Sequence, residues 1–319
     1  MSVSDSPRWR YRKGRDVHFE IFTDKKTTMK LPTISCLLIF TATVTVAFSQ
    51  TASREKVAGD RSRIEDRTFR ARNDGTEQKF VLVYPPGFDS DKPVSLLIAL
   101  HGHGSDRWQF VKQTRGECSG TREAATRHGM LMVSPDYRAK TSWMGPKAEE
   151  DLVQIIVSLK KQFCVEHVIV SGGSMGGTGA LTFTVRNPAL IDGVIALNGT
   201  ANLVNYERFS AAIAASFGGS RAEVPDKYRD RSAEFFSERF TMPIAATTGG
   251  ADKIVPPDSV LRLLKKIKRN NDHVLSIHRP DGGHSTNHED TVRAFDFVIA
   301  KLKTPKKKLS EKKTAEEQP

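Results

Sequence analysis

The sequence predicts an α/β fold, a mainly parallel sheet with helices on both faces and a small insertion over the carboxyl edge. Three observations predict it. Continuous apolar runs such as Ser95-Leu-Leu-Ile-Ala-Leu100 read as strands covered on both faces. Stretches with helical periodicity alternate with these runs, which implies parallel strands joined by crossover helices. The run Val168-Ile169-Val170 enters Ser171-Gly172-Gly173-Ser174-Met175-Gly176-Gly177, and the residues after it read as a helix. That strand, sharp turn and helix is the context of a nucleophile elbow.

The elements before the elbow follow in order. Segments 68–72 and 79–84 flank Asn73-Asp-Gly and read as a hairpin with a tight turn. Pro85-Pro-Gly ends the second strand, and the 95–100 strand follows. A short helix at 121–128, stopped by Gly129, precedes a strand at 130–135. The clearest helix spans 146–163. Its first turn carries Glu149, Glu150 and Asp151, its last turn Lys160 and Lys161, matching the helix dipole. Leu152, Ile155, Ile156, Leu159 and Phe163 form its apolar face.

Beyond the elbow, a strand is expected at 193–197. Residues 201–240 then break the rhythm, with amphipathic pieces and Gly218-Gly219, and read as a candidate lid or an ordinary connecting helix pair. The alternation resumes with a strand at 243–248, a helix at 257–268, a strand at 273–278 and a helix at 288–302. No internal repeat is present.

The formal charge of +12 points to nucleic acid or membrane only until it is located. Residues 1–49 and 301–319 each carry +4, so most of the basicity is terminal and is no nucleic-acid footprint. Residues 1–28 form a charged lead that need not be translated, because Met29 makes the better initiator. Met29-Lys30 and the apolar run to Phe48 read as a signal peptide over 29–49, too short for a confident span, which takes about 20 residues. An uncleaved N-terminal anchor is the alternative. Cys36 lies before the middle of the apolar run, not after it, which argues against a lipoprotein cysteine. Residues 50–65 read as a flexible leader, 66–302 as the folded domain and 303–319 as a Lys/Glu-rich disordered tail. Cys118 and Cys164 would remain after processing, either as one disulfide or as two separate residues. No metal-ligand spacing occurs.

Ser174 needs a base, and the base needs an orienting acid. Such groups gather at the carboxyl ends of strands in open α/β sheets. Asp252, in Gly249-Gly-Ala-Asp252 after the 243–248 strand, is the expected acid, with Asp258 in reserve. His284, in Gly282-Gly283-His284 after the 273–278 strand, is the expected base. His278 and His288 are read as structural histidines. The oxyanion needs backbone donors. The Met175 amide is one, and the loop His101-Gly102-His103-Gly104 supplies the other, with His103 first and Gly104 second. The His101 side chain is read as a structural hydrogen bonder. Trp143, with Met144, reads equally as a pocket residue or as packing filler, and Asn198 in Asn198-Gly-Thr200 reads as a site-edge or turn asparagine in preference to a glycosylation acceptor.

Together, Leu-His-Gly-His-Gly, Gly-Gly-Ser-Met-Gly-Gly, Gly-x-x-Asp-x-x-Val-Pro and Gly-Gly-His resemble the α/β-hydrolase superfamily over residues 66–302. Within it the chain is similar to secreted feruloyl and acetylxylan esterases, polyhydroxyalkanoate depolymerases and esterase D. It also resembles the catalytic domain of prolyl-oligopeptidase-type peptidases, with Arg231-Ser-Ala ahead of the acid strand. The resemblance implies an α/β-hydrolase fold and the roles argued for Ser174, Asp252, His284 and the oxyanion loop. The expected protein is an exported serine esterase for small-molecule or polysaccharide esters. It needs no metal or organic cofactor, no nucleic acid, and no stable membrane association after signal cleavage. A peptidase on the same machinery and a non-catalytic carbohydrate-binding protein are the alternatives.

Export is checked by N-terminal sequencing of protein recovered outside the cytoplasm. Cleavage near Ser49-Gln50 gives a mature chain starting at about Gln50, whereas a chain that keeps residues 29–49 identifies an anchor.

Overall fold

Eight strands hydrogen-bond into one sheet in the order β1-β2-β4-β3-β5-β6-β7-β8. The computed structural model describes residues 62–302. The expected lead, signal peptide, most of the leader and the tail lie outside those residues. Strand β1 (Ile64–Arg70) pairs antiparallel with β2 (Glu77–Val83), and β2 pairs antiparallel with β4 (Leu131–Pro135). All other neighbours are parallel: β3 (Val94–Leu100), β5 (Val165–Gly173), β6 (Gly193–Leu197), β7 (Ile244–Gly249) and β8 (Val274–Arg279).

The period of two along the strands sorts side chains into two cores. Leu96, Ile98 and Leu100 join the core under helices α3 (Pro146–Gln162), α4 (Met175–Arg186) and α7 (Asp258–Ile267). Leu97 and Ala99 join the opposite core, under α1 (Gln109–Lys112), α2 (Gly116–Arg127) and α8 (His288–Leu302). Because both faces are covered, β3 and β5 to β7 carry almost no polar alternation. The fold is the mostly parallel α/β-hydrolase arrangement.

Several elements differ from the sequence reading. Strand β1 begins at Ile64, four residues before the expected start and inside the expected leader, and the short α1 was not foreseen. The hairpin turn spans the six residues 71–76, wider than Asn73-Asp74-Gly75 alone implied, closed by the Ala71 amide donating to Thr76 O at 2.8 Å. Helix α2 begins at Gly116, five residues before the expected start. A Cβ at Gly120 would lie 2.8 Å from Thr291 Cβ on α8, so the small residue permits the helix contact. Asp151 is no surface dipole residue either. It is buried and its carboxylate lies 2.5 Å from Arg138 Nε, anchoring the loop after β4. Burial pushes its carboxyl up to about 6 despite that cation. Cys118 is buried, Cys164 is exposed, and both are free.

Residues 201–240 contain helices α5 (Ser210–Phe217) and α6 (Pro225–Asp230) and two 3₁₀ turns. Ile213, Phe217, Tyr228 and Phe240 sit in the main core. Arg231, 5 % exposed, pairs with Glu149 at 2.6 Å and donates to Met144 O. Glu234 accepts from Asn202 at 2.9 Å and from Arg262 on α7 at 2.6 Å. No described helix is long and apolar enough to cross a membrane.

Burial pushes the Glu234 carboxyl up, but hydrogen bonds from Arg262 and Asn202 outweigh it and hold the group below the usual glutamate range. A lowered folded-state value stabilises the protein above the unfolded value of about 4.3 and is lost as pH falls through the folded value. Glu234→Gln should therefore lower the urea unfolding free energy by about 1–2 kcal/mol at pH 7. The difference from wild type should shrink below pH 4.

Candidate active site

Strand β5 ends at Gly173 and α4 begins at Met175, which leaves Ser174 alone on the corner. Its φ of 58° and ψ of −117° are costly for any residue with a Cβ, about 1–3 kcal/mol. The Ser174 amide donates to Leu197 O at 2.8 Å, and Ser174 O accepts from the Thr178 amide at 3.0 Å, which pins the corner to β6 and to the helix. A Cβ at Gly176 would fall 1.9 Å from Leu100 O, and one at Gly172 2.4 Å from the Gly176 carbonyl carbon. Neither position tolerates a side chain.

Three loops bring the chemistry to this corner. His284 Nε2 lies 2.8 Å from Ser174 Oγ, and His284 Nδ1 lies 2.7 Å from Asp252 Oδ2. One tautomer satisfies both contacts: Nδ1–H donates to the carboxylate, and Nε2 accepts the serine hydroxyl. Asp252 is 5 % exposed, and its other oxygen accepts the amides of Ile254 at 2.8 Å and Val255 at 2.9 Å. The backbone thus takes one carboxylate oxygen and leaves the other for the imidazole.

The loop carrying His284 is itself anchored. The Thr286 hydroxyl lies 2.6 Å from Thr247 Oγ1 and donates to Asn198 Oδ1. Asn198 is buried with φ of 48°, a support under the site and no surface glycosylation acceptor. Thr247 and Thr286 escaped the sequence reading, since a threonine at a strand end carries no signal of its own. The remaining candidates have other work. With Nδ1 of His284 on Asp252, the exposed Asp258 at the start of α7 has no such role. His278 Nδ1 bonds the Thr248 hydroxyl, and His288 pairs with Glu123 on α2. His101 is fully buried between the Gly102 and Asp136 carbonyls, and burial pushes its pKa below the ordinary histidine value.

Two expected donors remain open to an oxyanion. The Met175 amide is the first of α4 and has no intrahelical acceptor. No described residue accepts the His103 amide. Gly104, the second choice, is excluded because its amide donates to Lys140 O at 2.7 Å. Gly102 is likewise committed, to Gln109 Oε1 at 2.8 Å.

Of its two readings, Trp143 is the packing residue and not a pocket wall. It is fully buried, with φ of 48°, and lies outside the walls of the cleft that holds Ser174. Its indole supports the oxyanion loop from behind, with Nε1 donating to His103 Nδ1 at 3.1 Å. The cleft, about 520 Å³, is walled by His103, Gln109, Gln113, Arg115, Glu117 and Phe209 among others. The four residues from 109 to 117 and Phe209 were not foreseen, because only the folded chain turns them toward Ser174. Among the described residues, no three His, Cys, Asp or Glu side chains cluster as metal ligands would.

Residues 137–303, just over half of the chain, match the prolyl oligopeptidase family, Peptidase S9. The chain belongs to the prolyl oligopeptidase family. No curated protein matches it. Among solved structures, this family member superposes on a puromycin hydrolase with a TM-score of 0.60 at 21 % identity, over 76 % of this chain and 39 % of that one. The S-formylglutathione hydrolase of Agrobacterium tumefaciens gives 0.58 at 16 % identity, over 76 % and 95 %. The acylaminoacyl peptidase of Pyrococcus horikoshii gives 0.58 at 15 %, over 76 % and 43 %. The chain therefore spans less than half the length of the puromycin hydrolase and of the acylaminoacyl peptidase. At these identities the likeness establishes the fold, and with the family it makes this chain a serine hydrolase of α/β-hydrolase type.

Relieving the corner separates strain from chemistry. Ser174→Gly should unfold at a higher denaturant midpoint than wild type, a gain of about 1 kcal/mol, while losing all fluorophosphonate labelling.

Proposed function

We propose that this serine hydrolase cleaves carboxylic esters through an acyl-enzyme on Ser174. The observation that carries the reading is the continuous Ser174–His284–Asp252 relay, at 2.8 and 2.7 Å, opening on a wide, polar-walled cleft. Ser174 Oγ attacks the ester carbonyl carbon while His284 Nε2 takes its proton. Asp252 holds the ring and faces the imidazolium that forms. The Met175 and His103 amides receive the negative charge on the carbonyl oxygen. Collapse of the intermediate breaks the bond to the alcohol oxygen, which leaves with the proton from His284. Water, deprotonated by the same nitrogen, then releases the acid and restores Ser174.

The ester reading draws support from the span of the match, 95 % of the S-formylglutathione hydrolase. Further support comes from the cleft, which Gln109, Gln113, Arg115 and Glu117 line together with Phe209, a lining suited to a hydroxylated or polymeric alcohol. Family membership favours a second reading, a peptidase on the same residues. The two part company in the leaving group, since an amine must be protonated as it departs and an alkoxide leaves more readily.

Kinetics on aryl acetates and on blocked dipeptide amides decide between them. Wild type should favour the acetates. Ser174→Ala should lower kcat by roughly 10⁴- to 10⁶-fold and Asp252→Asn by about 10⁴-fold. Higher kcat/KM on the amides would establish the peptidase, and failure of wild type to label at Ser174 would leave a binding protein with this fold.

A further inference from the structure

The side chain of His103 lines the cleft together with Ser174 and His284, beside the main-chain amide of the same residue. The ring packs on Phe209 in a tilted arrangement with centroids 4.3 Å apart and meets the Trp143 ring at an interplanar angle of 50°, where the indole Nε1 donates to its Nδ1. An indole N–H can only donate. The nitrogen it meets, His103 Nδ1, must therefore carry a lone pair, and in a neutral imidazole the proton then belongs to Nε2. Protonating Nδ1 would set two N–H hydrogens against each other. Trp143 cannot turn away to avoid this, since it is fully buried against Tyr206 and Phe209, at ring distances of 5.6 and 5.4 Å. No described residue accepts from Nε2.

We infer that Trp143 locks His103 as the neutral Nε2–H tautomer, so that His103 gives bound substrate a second, side-chain hydrogen bond beside its oxyanion amide. The inference rests on the hydrolase reading and names part of its substrate class: esters bearing an uncharged oxygen acceptor, an ether or hydroxyl, near the scissile carbonyl. Burial also pushes the pKa of His103 below the ordinary histidine value, in keeping with a neutral ring. A neutral donor discriminates by the presence of the acceptor and does not select for anions. Trp143 acts on substrate only through His103, as a positioning residue.

The test uses two ester pairs that are isosteric but for one ether oxygen. One pair carries it in the alcohol (2-methoxyethyl and n-butyl acetate), the other in the acyl group (phenyl methoxyacetate and phenyl butanoate). His103→Phe keeps the backbone amide and the ring packing on Phe209 but removes the donor. In at least one pair, the ether-to-alkyl ratio of kcat/KM should fall about tenfold in His103→Phe, the worth of one hydrogen bond. It should be kept in His103→Gln, whose amide places an N–H near the Nε2 position. Long-range ¹H–¹⁵N spectra of histidine-labelled protein should show a bare Nδ1 at His103 in wild type and mixed tautomers in Trp143→Phe. Unchanged ratios in both pairs for His103→Phe, or an Nδ1–H tautomer in wild type, would overturn the inference. Fluorophosphonate labelling keeps the two questions apart: variants that label at Ser174 retain the hydrolase site whatever their ratios. A wild type that does not label refutes the hydrolase reading, and the tautomer spectrum still decides the lock.

Discussion

A carbon atom added to residue 176 would sit 1.9 Å from the carbonyl oxygen of Leu100, well inside any permitted contact. That approach of α4 onto the end of β3 bends the chain so sharply at Ser174 that the serine is forced into a backbone conformation most residues avoid. The strain is borne by the layers on either side: β5 is buried in mid-sheet and α4 is buried along nearly its whole length. Had the helix a little more room, the corner would relax and the hydroxyl would leave its place opposite His284.

The same parallel geometry explains how distant residues meet. Strands β3, β6, β7 and β8 all end on one edge of the sheet, and each hands over to a loop that contributes a group: His103, Asn198, Asp252 and His284. Neighbouring loops are cross-tied below the chemistry. Thr286 and Thr247 tie the histidine loop to the ends of β6 and β7, and two amides of the acid loop fold back on the carboxylate they follow. Tyr206 adds a tie of its own, its hydroxyl donating to Ile254 O while its ring packs on Trp143. The acid loop and the oxyanion loop are thus joined through a short piece of the 201–240 segment.

What could be read from the sequence was whatever is local. Apolar runs announce buried strands, and glycines beside a serine or at a strand's end announce a turn, so Ser174, Asp252 and His284 could each be placed on the correct edge without knowing the fold. Features that depend on two remote segments could not be read. Nothing near Gly104 says that Lys140 O will claim its amide, and nothing near Gly116 says that α8 will let a helix begin there. Trp143 is undecided for the same reason: a large aromatic beside a catalytic loop reads equally as pocket wall or packing until its burial under Tyr206 and Phe209 is seen. The cleft residues from 109 to 117 belong to this class as well, being polar residues that gain meaning only from their neighbours across the cleft.

The 201–240 segment is fastened by Arg231, by Glu234 and by aromatic side chains sunk in the core, yet among its residues only Phe209 reaches the cleft wall. Anchorage and recognition are therefore carried by different residues of one insertion. A change at position 209 would alter what the cleft accepts and, through the contacts of Phe209 with His103 and Trp143, the support of the oxyanion loop, while the ties at Arg231 and Glu234 stay in place. Such a division lets one framework serve many diets.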